Sequence, residues 1–587
     1  MSLFKVFAKS YLSLFAIMRV CSVSASNPVS VILFTALVYI FYKIQEDKFE
    51  GRIEPRDPAL AAILSLLFTC STIAASYHTI IGSLTSFLFC VIILIMSGLG
   101  FLIIYYHLML LIFQASAYVH ITGTLYQYPW FSYAAGAFCF VCWLPYFLFE
   151  YPAVMTPDSI NQYAQIIGAY ELSNHHSVVH TAIIWWFYDR GLALTGDAHF
   201  GLALYTLAQM AFMAAAAGYV VKTLQKAGFK TPIIFAAVCF YALMPYNGIF
   251  AVTMWKDIPF AGCMAVFCAA LVRLLLRPNI TLPNGKREKI KASEYFTLIF
   301  PYVFSGIMLC LLRGNGWYAF LASLPFILFV YRSCWKMVVP MNLAVIGIVL
   351  FVKYPCMEIY NVRQADFAES ISIPAQQLAS VIANGGSLSD GELEFVDRLM
   401  DTQKAAAAYQ PDVSDNIKNL IRERGIDYLE SHKGEFFKNW FLIGLSNPKL
   451  YFDAYVAQTR GYWYPDVACG VGLADGIYPN EFGLSWQPIL HGGIVVKIRE
   501  VLFKLNDLFP VYGAFWSMGL LFWLVLIAAA VCIRSECAAN SLVCLPLIAL
   551  VLTLCLAAPV AADFRYAYAL AYAMPLFLTA PFLRVEN

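Results

Sequence analysis

Charge is what this 587-residue sequence has least of: Asp, Glu, Lys and Arg make up 13% of it, while hydrophobic residues reach 61%. An ordinary soluble domain carries about twice that charge, so the shortage excludes a water-soluble globule and reads as a multi-span membrane protein. A net charge of +2, with no basic stretch interleaved with aromatics, excludes nucleic acid as an expected partner. No G-x-x-x-x-G-K-[ST] segment is present, which argues against ATP-driven pumping. Internal repeats and low-complexity tracts are absent as well. The N-terminus, with Lys5, Lys9 and Arg19, lacks the apolar core and small-residue site of a removed signal peptide. Most of the sixteen cysteines sit in apolar runs, where a free thiol behaves as a small hydrophobe. Cys356 and Cys469 fall in a long polar region and are the one pair that could form a disulfide there.

What is present in abundance is long apolar runs. Candidate spans lie near 29–43, 59–77, 87–113, 130–150, 199–221, 232–250, 258–276, 296–312, 317–331, 338–352, 512–532, 541–560 and 566–584. Residues 10–26 add either a fourteenth span or, because of Arg19, an interfacial helix. The expected fold is an all-α polytopic membrane protein with thirteen or fourteen transmembrane helices. It divides into an N-terminal transmembrane module (1–129), a transmembrane core (130–352) with a polar loop at 151–198, an inserted and mainly helical soluble domain (353–510), and C-terminal helices (511–587). In the soluble domain Asn384-Gly385-Gly386 marks a turn. Ser372–Gln377 and Val413–Lys418 match no catalytic pattern.

Short loops rich in Lys and Arg stay in the cytoplasm. Alternation along the spans puts Lys43–Arg56, Lys222–Lys230, Arg273–Lys291, Arg332–Lys336 and Arg534 on one side. The loop at 151–198, Thr253–Asp257, Arg313–Gly316, the 353–510 segment and Ala562–Arg565 then share the other. The sequon Asn279-Ile280-Thr281 falls on the cytoplasmic side, so nothing marks passage through a glycosylating compartment. A large outer domain without sequons fits a bacterial plasma membrane.

The polar loop is the richest stretch. Thr156-Pro157-Asp158-Ser159 reads as a helix start, with Thr156 as cap and Pro157 in the first position. Asp158 then lies in the first turn of a short helix at the membrane surface. His175, His176 and His180 follow, the last two at i, i+4 spacing but without the Glu of a HExxH zinc motif. At an outer surface no nucleotide pool is available, so an activated group must arrive on a lipid. A lipid phosphate needs fixed cations at the bilayer edge, and an acceptor hydroxyl needs a carboxylate base. Lys256, Arg313 and Arg565 stand at the outer ends of apolar helices, and Asp158 is on the loop that would reach them.

These residues resemble the GT-C superfamily of multi-span glycosyltransferases, which use polyprenyl-phosphate-linked sugars. Asp158 in TPDSINQ, after the 130–150 span, resembles the essential outer-loop Asp of that superfamily. His175-His176-Ser177 is similar to its HHP-type continuation, with Ser177 in place of the proline. Trp255-Lys256-Asp257 and Asp563-Phe564-Arg565-Tyr566 look like later outer-loop motifs. The resemblance runs from about residue 130 to the C-terminus. It implies inverting transfer of a sugar from a polyprenyl-phosphate donor to a glycan or lipid acceptor at the extracytoplasmic face, with membrane lipids around the protein. Asp158 would be the general base, and Lys256, Arg313 and Arg565 would bind the donor phosphate. His175, His176, His180, Asp257, Gln162, Tyr462 and Trp463 would bind or support the substrate, the two aromatics by stacking on a sugar. Some members use a divalent cation such as magnesium or calcium; here the implied reaction is metal-independent or metal-assisted, with no dedicated metal ligands.

Each residue also has a plainer role open to it. Asp158 complements a helix dipole, Lys256 with Asp257 and Asp563 with Arg565 form local ion pairs, and the Tyr462 cluster is core packing. The alternative functions are a lipid or polysaccharide transporter or flippase, which would place charges near the bilayer midplane and in broken helices, and a surface-polysaccharide polymerase or ligase.

Overall fold

The structure, a computed structural model, describes residues 3–46, 54–123, 128–276, 295–467, 469–534 and 538–583. The sequon, residues 47–53 of the first basic loop and residues 277–291 of the third lie outside these. Among the described residues there is no β-strand, only isolated bridges between extended segments. Among the described residues, six helices are long and apolar enough to cross a bilayer: Asp57–Ile81, Phe87–Tyr118, Phe131–Glu150, Ala198–Lys226, Asp257–Leu275 and Arg332–Ile359. The protein is therefore all-α and polytopic.

The distance from thirteen or fourteen spans lies in shorter apolar helices, and the sequence explains the breaks. Met244 is extended (φ −69°, ψ 120°) because Pro245 follows it, and Thr231–Leu243 meets Pro245–Ala251 at 53°; this bent pair makes a seventh span if counted as one. Arg313 is likewise extended (φ −144°, ψ 140°) and separates Phe300–Leu312 from Gly314–Val330. The turn closes tightly at Gly316, where a Cβ would stand 2.0 Å from the Leu309 carbonyl oxygen. Asp257–Leu275 is buried along almost its whole length and packs on Ala198–Lys226, Phe300–Leu312 and Phe564–Tyr572.

The chain divides into two compact units. The first comprises residues 1–120 with 526–538, and its charged centre is an ion pair of Arg534 Nε with Asp57 Oδ1 at 2.7 Å. Both partners are buried, and Arg534 also donates to Ser116 Oγ at 3.2 Å. Arg273, in the second unit, donates to Thr223 Oγ1 at 2.8 Å and to the Thr297 carbonyl at 2.9 Å. Two charges read from sequence as loop charges are thus spent inside the protein on helix ends.

The second unit comprises residues 121–525 and 539–587. Its polar insertion is a helical bundle from Phe367 to Trp463 with its own core, including Leu378, Phe395, Leu399, Ile421, Phe436 and Ile443. Local sequence sets the helix starts. Ser389 and Glu392 form a reciprocal capping box, and Asp401 caps the next helix. The two uncatalogued polar motifs are structural. Gln376 donates to the carbonyls of Gln410 and Val413, and Ser414 donates to the Pro559 carbonyl at 2.7 Å, docking the bundle on the segment before Asp563. Cys356 and Cys469 are both free thiols rather than a disulfide. Cys139 and Cys142, at C-x-x-C spacing within the Phe131–Glu150 helix, are free as well.

Candidate active site

The helix carrying Asp158 starts at Pro157, with Thr156 extended before it, as the sequence predicts. The Thr156 hydroxyl, however, does not cap it; it accepts from Trp255 Nε1 at 2.7 Å. The expected cap has become a link to the 252–257 segment, reinforced by Ser159 Oγ donating to the Met254 carbonyl at 2.6 Å. Backbone bonds repeat the pattern on both edges of Val154 and Met155. Val154 N–H donates to Val252 (3.0 Å) and Met254 N–H to Val154 (3.0 Å); Met155 N–H donates to Gly476 (2.8 Å) and Tyr478 N–H to Met155 (2.9 Å). Only glycine fits at 476: its φ is +55°, and a Cβ would stand 2.1 Å from the Trp486 ring. Its N–H in turn donates to Glu150 Oε2 at 2.7 Å.

On this frame Asp158 Oδ2 accepts from Arg565 Nη1 at 2.7 Å, and the Asp158 side chain remains 37% exposed. Arg565 Nε also pairs with Asp563 Oδ2 at 2.8 Å, and its guanidinium lies 4.7 Å from the Trp255 ring centre. Asp563 caps Phe564–Tyr572 by accepting the Arg565 N–H. Burial raises the Asp158 carboxyl pKa, but Arg565, His176 and Lys256 together outweigh it and hold the group well below the usual carboxylate range. At Asp563 burial prevails over Arg565 and the pKa is raised. One guanidinium therefore faces two carboxylates of unlike acidity, the more exposed of which is the stronger acid.

Lys256 Nζ reaches the His175 carbonyl at 3.5 Å, and among the described residues no carboxylate lies within ion-pair distance of it. Burial lowers its pKa, against the pull of Asp257 and Asp158. Asp257 does not pair with its neighbour as the sequence invites. It pairs with Arg313, Oδ1 to Nη1 at 2.5 Å, with both side chains buried. This corrects the expectation for Arg313: its charge is neutralised, and its guanidinium is further occupied by the Tyr566 carbonyl at 3.3 Å and the Tyr566 ring at 4.8 Å. Beside Asp158 this leaves Lys256 without a carboxylate partner among the described residues, and Arg565 shared between Asp158 and Asp563.

The histidines separate into two roles. The His175 and His176 rings meet edge to face at 4.6 Å, and His175 Nδ1 is 3.8 Å from Glu369 Oε1. Burial and Lys256 push the His176 pKa down and favour its neutral form. His180 is fully buried and cannot touch a substrate. Its Nε2 is 2.6 Å from Tyr205 Oη, which donates to Gln209 Oε1 at 2.9 Å, and its Nδ1 is 3.0 Å from the side-chain amide of Gln162. Gln209 spends its amide N–H groups on the carbonyls of Ala251 (3.0 Å) and Thr253 (2.8 Å). Gln162 and His180 therefore position the Asp158 helix. The same holds for Tyr462, expected to stack on a sugar: it is fully buried and donates to the Val560 carbonyl at 2.6 Å. Trp463 Nε1 donates to Thr459 Oγ1 at 3.0 Å, and the residue is half-buried.

Among the described residues no group of three or more His, Cys, Asp or Glu is placed to hold a metal ion. The carboxylates round Asp158 are paired with guanidinium groups, Asp158 and Asp563 with Arg565 and Asp257 with Arg313. A cavity of about 510 Å³ shares His175 with the cluster and is lined also by Tyr170, Glu171, Arg363 and Asp366. It is closed at one edge by the Asn174 N–H donating to the Arg363 carbonyl at 2.8 Å. Sequence reasoning missed Trp255 and Tyr566 as shaping groups, although both flank residues it selected, and missed Tyr205 and Gln209, for which it had no signal.

No curated protein and no solved structure matches the chain. A family model described as a family of unknown function, DUF6020, matches residues 167–585, a stretch that includes Lys256, Asp563 and Arg565 and begins nine residues after Asp158. Since that match spans well over half of the sequence, the chain belongs to the DUF6020 family.

Proposed function

We propose that the protein is a membrane glycosyltransferase that moves a sugar from a polyprenyl-phosphate donor to an acceptor hydroxyl, with inversion, at the extracytoplasmic face of a plasma membrane. In this reading the shorter apolar helices also span, giving thirteen or fourteen crossings, and the helical bundle lies outside the cell. The observation that carries the reading is the pairing of a part-exposed Asp158 with Arg565, next to a Lys256 that no carboxylate neutralises.

Asp158 accepts the proton of the acceptor O–H while that oxygen forms its bond to the anomeric carbon. The bond from that carbon to the donor phosphate breaks on the opposite face, and Lys256 and Arg565 stabilise the departing phosphate. The free enzyme holds Asp158 as a weak base because Arg565 is on it. A donor phosphate that draws the guanidinium to itself releases the carboxylate and raises its basicity, so the base is armed when the donor is in place. His175 and the cavity beside it offer the acceptor side. A longer lipid-linked donor would make the same site a polymerase or ligase.

The bent helix pair at Pro245 is the one feature that favours a transporter or flippase, since such proteins break helices around their cargo. Asp158→Asn separates the readings. A transferase variant keeps donor binding and loses turnover of a labelled polyprenyl-phosphate sugar by about 100-fold or more. A variant that transfers sugar normally refutes the assignment of the base.

A further inference from the structure

The helix Gly493–Leu508 contains no buried residue, although it belongs to the second unit. Ile494, Ile498, Val501 and Leu508 are 77, 56, 57 and 69% exposed. Their spacing of four, three and seven residues places them on one side of the helix. Lys497 and Lys504 border that side, and Glu500 and Asp507 lie further round. The exposed apolar surface continues into Phe509 and Val511, 57 and 77% exposed, before the apolar helix Met518–Arg534 begins.

The opposite side is tied down. Arg499 Nε lies 3.5 Å from Glu150 Oε1, Arg499 Nη2 pairs with Asp475 and donates to the Gly472 carbonyl at 2.8 Å, and the guanidinium lies 5.3 Å from the Phe503 ring centre. Glu150 is the last residue of a helix long and apolar enough to cross a membrane. Its partner Arg499 therefore fixes Gly493–Leu508 at the level where that helix leaves the apolar layer. An apolar stripe bordered by lysines, held at that height, has the chemistry of a helix lying in a lipid headgroup layer.

We propose that Gly493–Leu508 is an interfacial helix whose partner is an anionic phospholipid surface, with Ile494, Ile498, Val501 and Leu508 in the acyl region and Lys497 and Lys504 at the headgroup phosphates. A water-exposed patch of this kind would otherwise be an unusual surface for a folded chain. The proposal concerns lipid contact alone and stands whether or not the protein transfers sugar.

The full-length protein, reconstituted in vesicles of phosphatidylcholine and phosphatidylglycerol, tests it by photocrosslinking. Ile498→p-benzoylphenylalanine is compared with Glu500→p-benzoylphenylalanine, two changes on an exposed surface that leave the core untouched. The expected result is a phospholipid adduct several-fold more abundant at 498 than at 500. Equal adducts at the two positions, or at 498 an adduct with a second copy or with another segment of the chain, overturn the proposal. In the 498 variant, Lys497→Ser with Lys504→Ser is expected to abolish the preference for phosphatidylglycerol adducts over phosphatidylcholine adducts. A preference that survives both changes overturns the role given to the lysines.

Discussion

Asp257 Oδ1 lies 2.5 Å from Arg313 Nη1, although the residue beside it in the chain is Lys256. The long-range pair takes precedence because both its members are buried, where an unpaired charge is costly. Its consequence is that Lys256 keeps its charge for something else. Arg313→Met should cost about 3–5 kcal/mol of stability by stranding Asp257, and Asp257→Asn in the same chain should recover much of it. Thermal unfolding in detergent reads both. An Arg313→Met variant that unfolds like the parent but binds donor poorly would return Arg313 to the phosphate site.

Arg565→Gln removes the guanidinium that Asp158 and Asp563 share. Loss of one such electrostatic donor should lower kcat by about 100- to 1,000-fold. The Asp158 carboxyl, no longer held down, should titrate at higher pH, so the acid limb of kcat/KM moves upward. An unmoved acid limb would show that another group titrates there.

Burial lowers the Lys256 pKa below that of an ordinary lysine. Its charge is lost as pH rises through that lowered value. Donor KM should therefore increase on the alkaline side before an ordinary lysine would titrate, and Lys256→Arg should remove that rise. A KM that stays flat in the parent protein to the ordinary lysine pKa would take Lys256 out of the donor site.

Gln209→Leu should act on the site without touching it. It leaves the carbonyls of Ala251 and Thr253 without their side-chain donor, at a cost of about 1–3 kcal/mol. The turn that carries Met254 and Trp255 should loosen, and kcat should fall more than KM changes. Equal stability and unchanged kcat would mean the network does not set the height of the turn.

Glu369 is the acid-sensitive joint of the helical bundle. Burial opposes its ionisation, but Lys418 at 2.9 Å and Arg422 hold it at about 2. A carboxylate depressed in the folded state stabilises fully above its unfolded pKa, near 4.5, and that stability is lost as pH falls from there toward 2. Glu369→Gln should flatten this part of the stability profile and lower stability at pH 7 by about 2 kcal/mol. Parallel profiles for the two proteins would refute it.

Much of this was legible in the chain. Pro157 gives away the helix start, and the isolated charges at the ends of apolar runs name the residues that meet near Asp158, because a charge at a span end has few other places to be. What was not legible depends on partners far apart in sequence. His180 looks like a ligand until Tyr205 and Gln162 occupy its ring. Tyr462 looks like a sugar platform until Val560 takes its hydroxyl. Thr156 reads as a cap until the Trp255 indole claims its oxygen. The number of crossings was hardest, since a break such as Met244-Pro245 divides a hydrophobic run without changing its composition.

Gln209 sits eleven residues into Ala198–Lys226, about 16 Å along its axis from the Ala198 end, and its amide holds Ala251 and Thr253 at that depth. The floor under Lys256 is thus well down the shaft of a long helix instead of at its tip. In the proposed transfer, both reactants would meet beside a turn pinned to the middle of that helix.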